Sequence, residues 1–232
     1  MRFAKGVVVA AAAVLSVGVS ATVAEAQKKV SYGILFDNTG SMRQLIPIQQ
    51  EIATQIVKKV AGSKISIYGF ATAPDDPNIS AFATGAECLS DTVSLEKQIS
   101  QIGVVRGQTT VLDAIHSGVF RLAKPTKPEC GVSDEQILVV MSDGEDRASL
   151  VRSADLVSII KTSGVKVFVI GLLTNLSDDA GFISKTPMKK AKELLMSLAK
   201  ETGGRIVLPK KKATAEEVVS ELFSETYSFP KK

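Results

Sequence analysis

The sequence predicts an α/β protein built on a doubly wound, mostly parallel sheet with helices on both faces. Three observations carry that expectation. From Val30 onward, short β-branched and aliphatic runs alternate with stretches whose apolar residues recur at helical spacing. Parallel neighbours need crossover connections, and the intervening helices supply them. The composition is 45% hydrophobic but only 5% aromatic, with no Trp, which suits an aliphatic core between sheet and helices.

Taken in order, residues 30–36 (Val-Ser-Tyr-Gly-Ile-Leu-Phe) read as a buried strand. Residues 42–60 follow as a helix, with Leu45, Ile48, Ile52, Ile56 and Val60 at helical spacing. Residues 64–70 alternate as a second strand. Pro74-Asp75-Asp76-Pro77 turns the chain, and residues 78–84 return as a short antiparallel edge strand. Helices are expected over 94–102 and 111–122, the latter presenting Leu112, Ile115, Val119 and Leu122 on one face. Residues 137–141 and 165–170 are strands separated by a helix at 154–162. A helix at 188–201 ends on Gly203-Gly204, a strand at 205–208 follows, and a helix at 214–223 closes the chain.

The N-terminus stands apart from this pattern. Arg2 and Lys5 precede an uncharged run from Gly6 to Val23, and Ala24-Glu25-Ala26 is a small-x-small cleavage pattern. Residues 1–26 therefore read as a secretory signal peptide, with an uncleaved membrane anchor as the alternative. Residues 27–232 are expected to form one domain, secreted or periplasmic. No later segment is apolar enough to span a membrane, and the oligomeric state is left open.

Composition excludes several functions. The 28 basic and 24 acidic residues leave a formal charge of +4, too mild to dictate nucleic-acid binding. His116, Cys88 and Cys130 are the whole soft-ligand inventory, short of the four ligands, or three and a water, of a zinc site. P-loop, His-Glu-x-x-His and Gly-x-Ser-x-Gly patterns are absent.

In doubly wound sheets, ligands sit beyond the carboxyl ends of the strands. Three segments there carry oxygen donors: Asp37-Asn38-Thr39-Gly40-Ser41-Met42 after the first strand, Ser142-Asp143-Gly144-Glu145-Asp146 after the fourth, and Gly107-Gln108-Thr109-Thr110 opening a helix between them. Hydroxyls and carboxylates without imidazole or thiolate are hard donors that suit Mg²⁺, Mn²⁺ or Ca²⁺. Each segment alone also fits an ordinary turn or cap.

Together, in this order, these segments resemble the von Willebrand factor type A domains, which include the integrin inserted domains. The resemblance covers nearly all of residues 27–232. That family's metal-ion-dependent adhesion site has the pattern Asp-x-Ser-x-Ser, then a Thr, then an Asp. Asp37, Thr39 and Ser41 match the first part, with Thr39 in place of the commoner Ser. Thr109 matches the distal Thr, although Gln108 replaces the second Gly of the family's Gly-Gly-Thr segment, and Asp143 matches the final Asp. The resemblance implies a six-stranded sheet of order 3-2-1-4-5-6 with strand 3 antiparallel. It further implies a divalent cation, Mg²⁺ first, touched by the hydroxyls of Thr39, Ser41 and Thr109, with Asp37 and Asp143 acting largely through water. Few direct anionic ligands leave the cation electrophilic, so an Asp or Glu of a partner protein can complete its shell.

The expected function is a metal-dependent adhesion or interaction domain, with no catalytic residues. Asp37 and Asp143 are expected at solvent-facing strand ends. A haloacid-dehalogenase-like phosphatase would need a second carboxylate where this chain has Thr39. A metal-independent interaction domain with a vestigial site is the first alternative, and a Mg²⁺-dependent phosphoryl-transfer enzyme is the second. Export and the implied topology pair Cys88 with Cys130 in a disulfide at the end opposite the metal. The lysine clusters Lys189-Lys190-Lys192, Lys210-Lys211-Lys212 and Lys231-Lys232 read first as solvated surface, with contact to an acidic surface or polymer as the alternative.

Overall fold

Strand and helix alternate throughout residues 28–73, 76–105, 107–179 and 185–230, which a computed structural model describes. β1 (Val30–Asp37) leads through α1 (Ile46–Lys59) to β2 (Lys64–Ala73) and β3 (Asp76–Leu89). After α2 (Thr92–Ser100) and α3 (Val111–Ala123) come β4 (Glu135–Ser142), α4 (Ser153–Ser163), β5 (Lys166–Gly171), α5 (Pro187–Glu201), β6 (Ile206–Val207) and α6 (Ala215–Leu222). The sheet has six strands in the order β3-β2-β1-β4-β5-β6. β3 runs antiparallel to β2, and every other neighbouring pair is parallel. This is the expected doubly wound order. The segment expected to be a signal peptide, Pro74 and Asp75 of the turn, the middle of the loop before Pro187, and Lys231-Lys232 lie outside the described residues.

Alternation along each strand divides the core into two layers. β1 sends Ile34 and Phe36 to one face and Leu35 to the other; β4 does the same with Val139 and Met141 against Leu138 and Val140. α1, α2 and α6 cover the first face through Ile52, Ile56, Leu95, Ile99, Val219 and Leu222. α3, α4 and α5 cover the second through Ile115, Val119, Leu156, Ile160, Leu195 and Leu198.

Local chemistry sets the ends of these elements. The helix expected from Met42 begins only at Ile46, because Gly40–Met42 first forms a 3-10 turn and Pro47 occupies the opening turn of α1. There its missing N–H is no loss. Asp91 caps α2 by accepting from the Ser94 N–H at 2.9 Å. Thr214 and Glu217 cap α6 reciprocally. β3 runs beyond the expected 78–84, since register shifts opposite Ile65 and Ile67 let a strand rich in poor β-formers keep pairing with β2. Gly204 follows α5 because a Cβ there would lie on the Val167 carbonyl.

Cys88 and Cys130 form the expected disulfide, with Cα atoms 5.0 Å apart. Cys88 sits at the foot of β3 beside Ser66 of β2, whose hydroxyl accepts the Cys88 N–H at 3.0 Å. Cys130 ends the turn before β4. The bridge therefore lies at the amino ends of the parallel strands, away from Asp37 at the carboxyl end of β1.

Candidate functional site

β1 and β4 are hydrogen-bonded neighbours, so Asp37 at the end of one and Ser142-Asp143 at the end of the other meet at a single pole of the sheet. Both oxygens of Asp37 are engaged. Oδ1 accepts the Thr39 hydroxyl at 2.6 Å and the Thr39 N–H at 3.2 Å, and Oδ2 accepts the Ser142 hydroxyl at 2.6 Å. With its proton held on Asp37, the Thr39 hydroxyl turns a lone pair outward. Thr39 Oγ1 lies 3.2 Å from Ser41 Oγ and accepts from the Thr109 hydroxyl at 3.4 Å. The Thr39 hydroxyl thus touches those of both Ser41 and Thr109, above the two carboxylates.

The loops around this cluster hold it in place. Thr109 O accepts the N–H groups of Arg147 and Ala148 at 2.9 and 3.2 Å. Asp113, in the first turn of α3, accepts the Leu150 and Val151 N–H groups, and Asp146 accepts from the Ser149 hydroxyl at 2.6 Å. The segment after β4 is therefore sewn to the start of α3. Val105 N–H donates to Asn38 O at 2.8 Å, which fixes the preceding loop against the end of β1.

One expectation fails. Asp37 and Asp143 are not at solvent-facing strand ends but wholly buried, because these loops fold over the strand termini; Thr39 and Thr109 are buried with them. Ser41 alone of the five is exposed and marks the opening. Burial holds the Asp37 carboxyl up at about 6, with hydrogen bonds from Ser142 and Thr39 opposing the rise and the charge of Asp143 adding to it. Burial likewise raises Asp143 above the ordinary carboxylate range, opposed by its hydrogen bond from the Glu145 N–H.

Among the described residues, four buried side-chain oxygens lack a hydrogen-bond partner: Asn38 Oδ1, Gln49 Oε1, Thr110 Oγ1 and Asp143 Oδ2. All belong to site residues, their chain neighbours, or Gln49, whose amide donates to Asp37 O at 3.0 Å. Such orphans are uncommon in folded proteins and ask for an ion or water. No three His, Cys, Asp or Glu side chains among the described residues form a group that could hold a metal. The donors here are instead two carboxylates and three hydroxyls, a hard set that fits Mg²⁺ or Mn²⁺.

Sequence reasoning missed two positioning residues. Ser142 orients Asp37 and accepts the Gly144 N–H at 3.0 Å. Gln49 is fully buried on the apolar side of α1. Its signal was available: four residues after Leu45 and three before Ile52, a polar side chain interrupts the apolar stripe.

The raised Asp37 value has a testable consequence. Its folded carboxyl holds a proton that the unfolded chain releases, so the associated stability is complete below pH 4 and is lost as pH rises through about 6. For the metal-free protein at neutral pH, the ionised group costs about 3 kcal/mol. Urea unfolding in chelator should show stability falling over this window, with a shallower slope in Asp37→Asn. An identical pH slope in the two proteins would contradict this assignment.

The sequence profile of the von Willebrand factor type A domain matches residues 33–221. No curated protein matches significantly. Among solved structures, the fold is similar to conserved hypothetical protein BatB from Bacteroides thetaiotaomicron, with a TM-score of 0.60, 19% identity, and coverage of 84% of this chain and 97% of that one. It is also similar to an aerotolerance-related membrane protein from Bacteroides fragilis, with a TM-score of 0.57, 19% identity and coverage of 83% and 96%. A von Willebrand factor type A protein from Catenulispora acidiphila matches with a TM-score of 0.54, 16% identity and coverage of 82% and 40%. At these identities the likeness is one of fold.

Proposed function

The chain belongs to the von Willebrand factor type A domain family, and from that premise we propose that it is a metal-dependent protein-binding domain working outside the cytoplasm. Domains of this family are generally interaction modules rather than enzymes. The reading rests on one observation: Thr39, Ser41 and Thr109 gather their hydroxyls within hydrogen-bond reach above buried Asp37 and Asp143, one of whose oxygens has no partner. Thr39, Ser41 and Thr109 would hold a divalent cation, Mg²⁺ in the first instance, and Asp37 and Asp143 would support it through water. Asp37 fixes the Thr39 proton, Ser142 fixes Asp37, and the loops that bury the carboxylates limit the approach of water. A hard cation bound this way supplies an open position for an anionic oxygen, and an Asp or Glu of a partner protein is the natural donor.

The Cys88–Cys130 disulfide supports a compartment that is oxidising. Among the described residues, no helix is long and apolar enough to cross a membrane. Calorimetry tests the proposal: one Mg²⁺ or Mn²⁺ per chain should bind, and an acidic ligand peptide should bind only with the cation present. Peptide binding undiminished by chelator would overturn the bridge. Absence of any cation binding, with or without peptide, would make the site vestigial.

A further inference from the structure

Two lysine clusters far apart in sequence arrive at the pole of the candidate site. α5 begins there, and its Ala191 and Leu195 pack on Gly144: a Cβ on that glycine would come within 3.2 Å of Ala191 Cβ and 2.8 Å of Leu195. Lys189 and Lys190, exposed, and Lys192, half-buried, lie on these first turns of α5, beside the Asp143-Gly144 loop. Leu208, just past β6, packs over Gly171, which pairs with Ser142 of β4. Lys210, Lys211 and Lys212 follow, all exposed. β6 lies two strands from β4, so about 10 Å of sheet separates this run from the Asp143 strand.

Among the described residues, none of these six lysines forms an ion pair. The acids nearby are engaged elsewhere: Glu193 with Lys185 at 2.6 Å, Asp178 with the Thr186 hydroxyl at 3.2 Å, and Glu217 in the cap of α6. Glu216 is the exposed acid that remains on the first turn of α6. On the other side of the site Val105, 41% exposed, and Leu150, 72% exposed, lie next to the loop that carries Asn38 and the first turn of α3 that carries Asp113, with Gln108 and Arg147 also exposed there. The lysines of the pole gather on its side toward β5 and β6.

We propose that the partner docks through an acidic run, one carboxylate directed to the hydroxyl cluster and the following ones laid over the two lysine clusters. This rests on the metal-bridge reading and specifies its partner. β1, whose end carries Thr39 and Ser41, lies one strand beyond β4, so four or five extended residues cover the about 14 Å between the hydroxyl cluster and the Lys210 run. Lysines that border a carboxylate-seeking site favour an acidic protein segment over an anionic membrane, which the lysines alone would have to read.

Fluorescence anisotropy with two labelled peptides tests this: hexaglutamate, and a peptide carrying a single Glu among glycines. In excess Mg²⁺ at low salt, hexaglutamate should bind about tenfold tighter or better, and physiological salt should narrow the gap. Replacing Lys210, Lys211 and Lys212 together by Gln should close most of that gap without changing Mg²⁺ affinity. Equal affinities for the two peptides, a gap indifferent to the lysine changes, or no binding of either peptide would overturn the acidic-run proposal. Tighter retention on phosphatidylserine vesicles than on hexaglutamate would overturn it in favour of a membrane. The metal bridge fails by a different sign: hexaglutamate binding that chelator leaves undiminished, while the lysine changes still weaken it.

Discussion

Replacing Asp37 by Asn is expected to abolish divalent-cation binding while leaving the metal-free protein as stable as before, or more stable by up to about 3 kcal/mol at neutral pH. The asymmetry follows from where the carboxylate sits. Asp37 is wholly buried, and burial, with the charge of Asp143 adding to it, pushes its carboxyl to about 6 against three favourable hydrogen bonds. Asn keeps the shape, accepts the Thr39 groups through its carbonyl, and can donate its amide to Ser142 Oγ. What disappears is the buried charge that a cation would neutralise. Asp37→Ala should behave differently, because it leaves the Thr39 and Ser142 hydroxyls without their acceptor, at about 1–3 kcal/mol each. Urea unfolding in chelator and cation calorimetry on both variants separate these effects. An Asn variant that binds cation like the wild type, or that loses several kcal/mol in chelator, would refute the assignment.

The second large effect concerns the opposite pole. Opening the Cys88–Cys130 disulfide by Cys88→Ser with Cys130→Ser should cost about 4 kcal/mol, since the bridge spans a sequence separation of 42 and closes a loop of that size in the unfolded chain. The loop contains α2, the Thr109 segment and α3, yet the bridge itself lies at the amino ends of the strands. Cation affinity of the folded double variant should therefore match the wild type. Denaturant unfolding measures the first expectation and calorimetry the second. A stability unchanged within about 1 kcal/mol would contradict the first, and loss of cation binding in a protein shown to be folded would contradict the separation of the two poles.

The alternation of strands with helices and the helix faces were legible because they rest on local patterns, whereas the strand order came from the resemblance to the family. Ile34, Leu35 and Phe36, or Leu138 to Met141, leave no polar face to solvate, and a parallel strand buried on both sides is what such a run builds. Boundaries were less legible where a turn competed with a helix. Gly40–Met42 is followed by an apolar stripe with helical period, yet it forms a 3-10 turn that delivers Ser41 to the site. Residues 85–89 carry little β-propensity and pair only because β2 lies beside them.

At the site, the five donor residues could be named from motif order, but their burial could not. Whether Asp37 faces water depends on how the Val105 and Arg147 segments fold over it, contacts made between residues tens of positions apart. Ser142 and Gln49 escaped notice for the same reason. Each acts by holding another group, a role that exists only once strands and helices have packed.

Anomalous diffraction from crystals grown with Mn²⁺ tests the central claim most directly. One strong Mn²⁺ peak is expected within about 2.0–2.6 Å of Thr39 Oγ1, Ser41 Oγ and Thr109 Oγ1, with Asp37 and Asp143 reached through ordered water. A saturating Mn²⁺ soak that leaves this cluster without a peak, or places the ion on Glu145 and Asp146 instead, would contradict it.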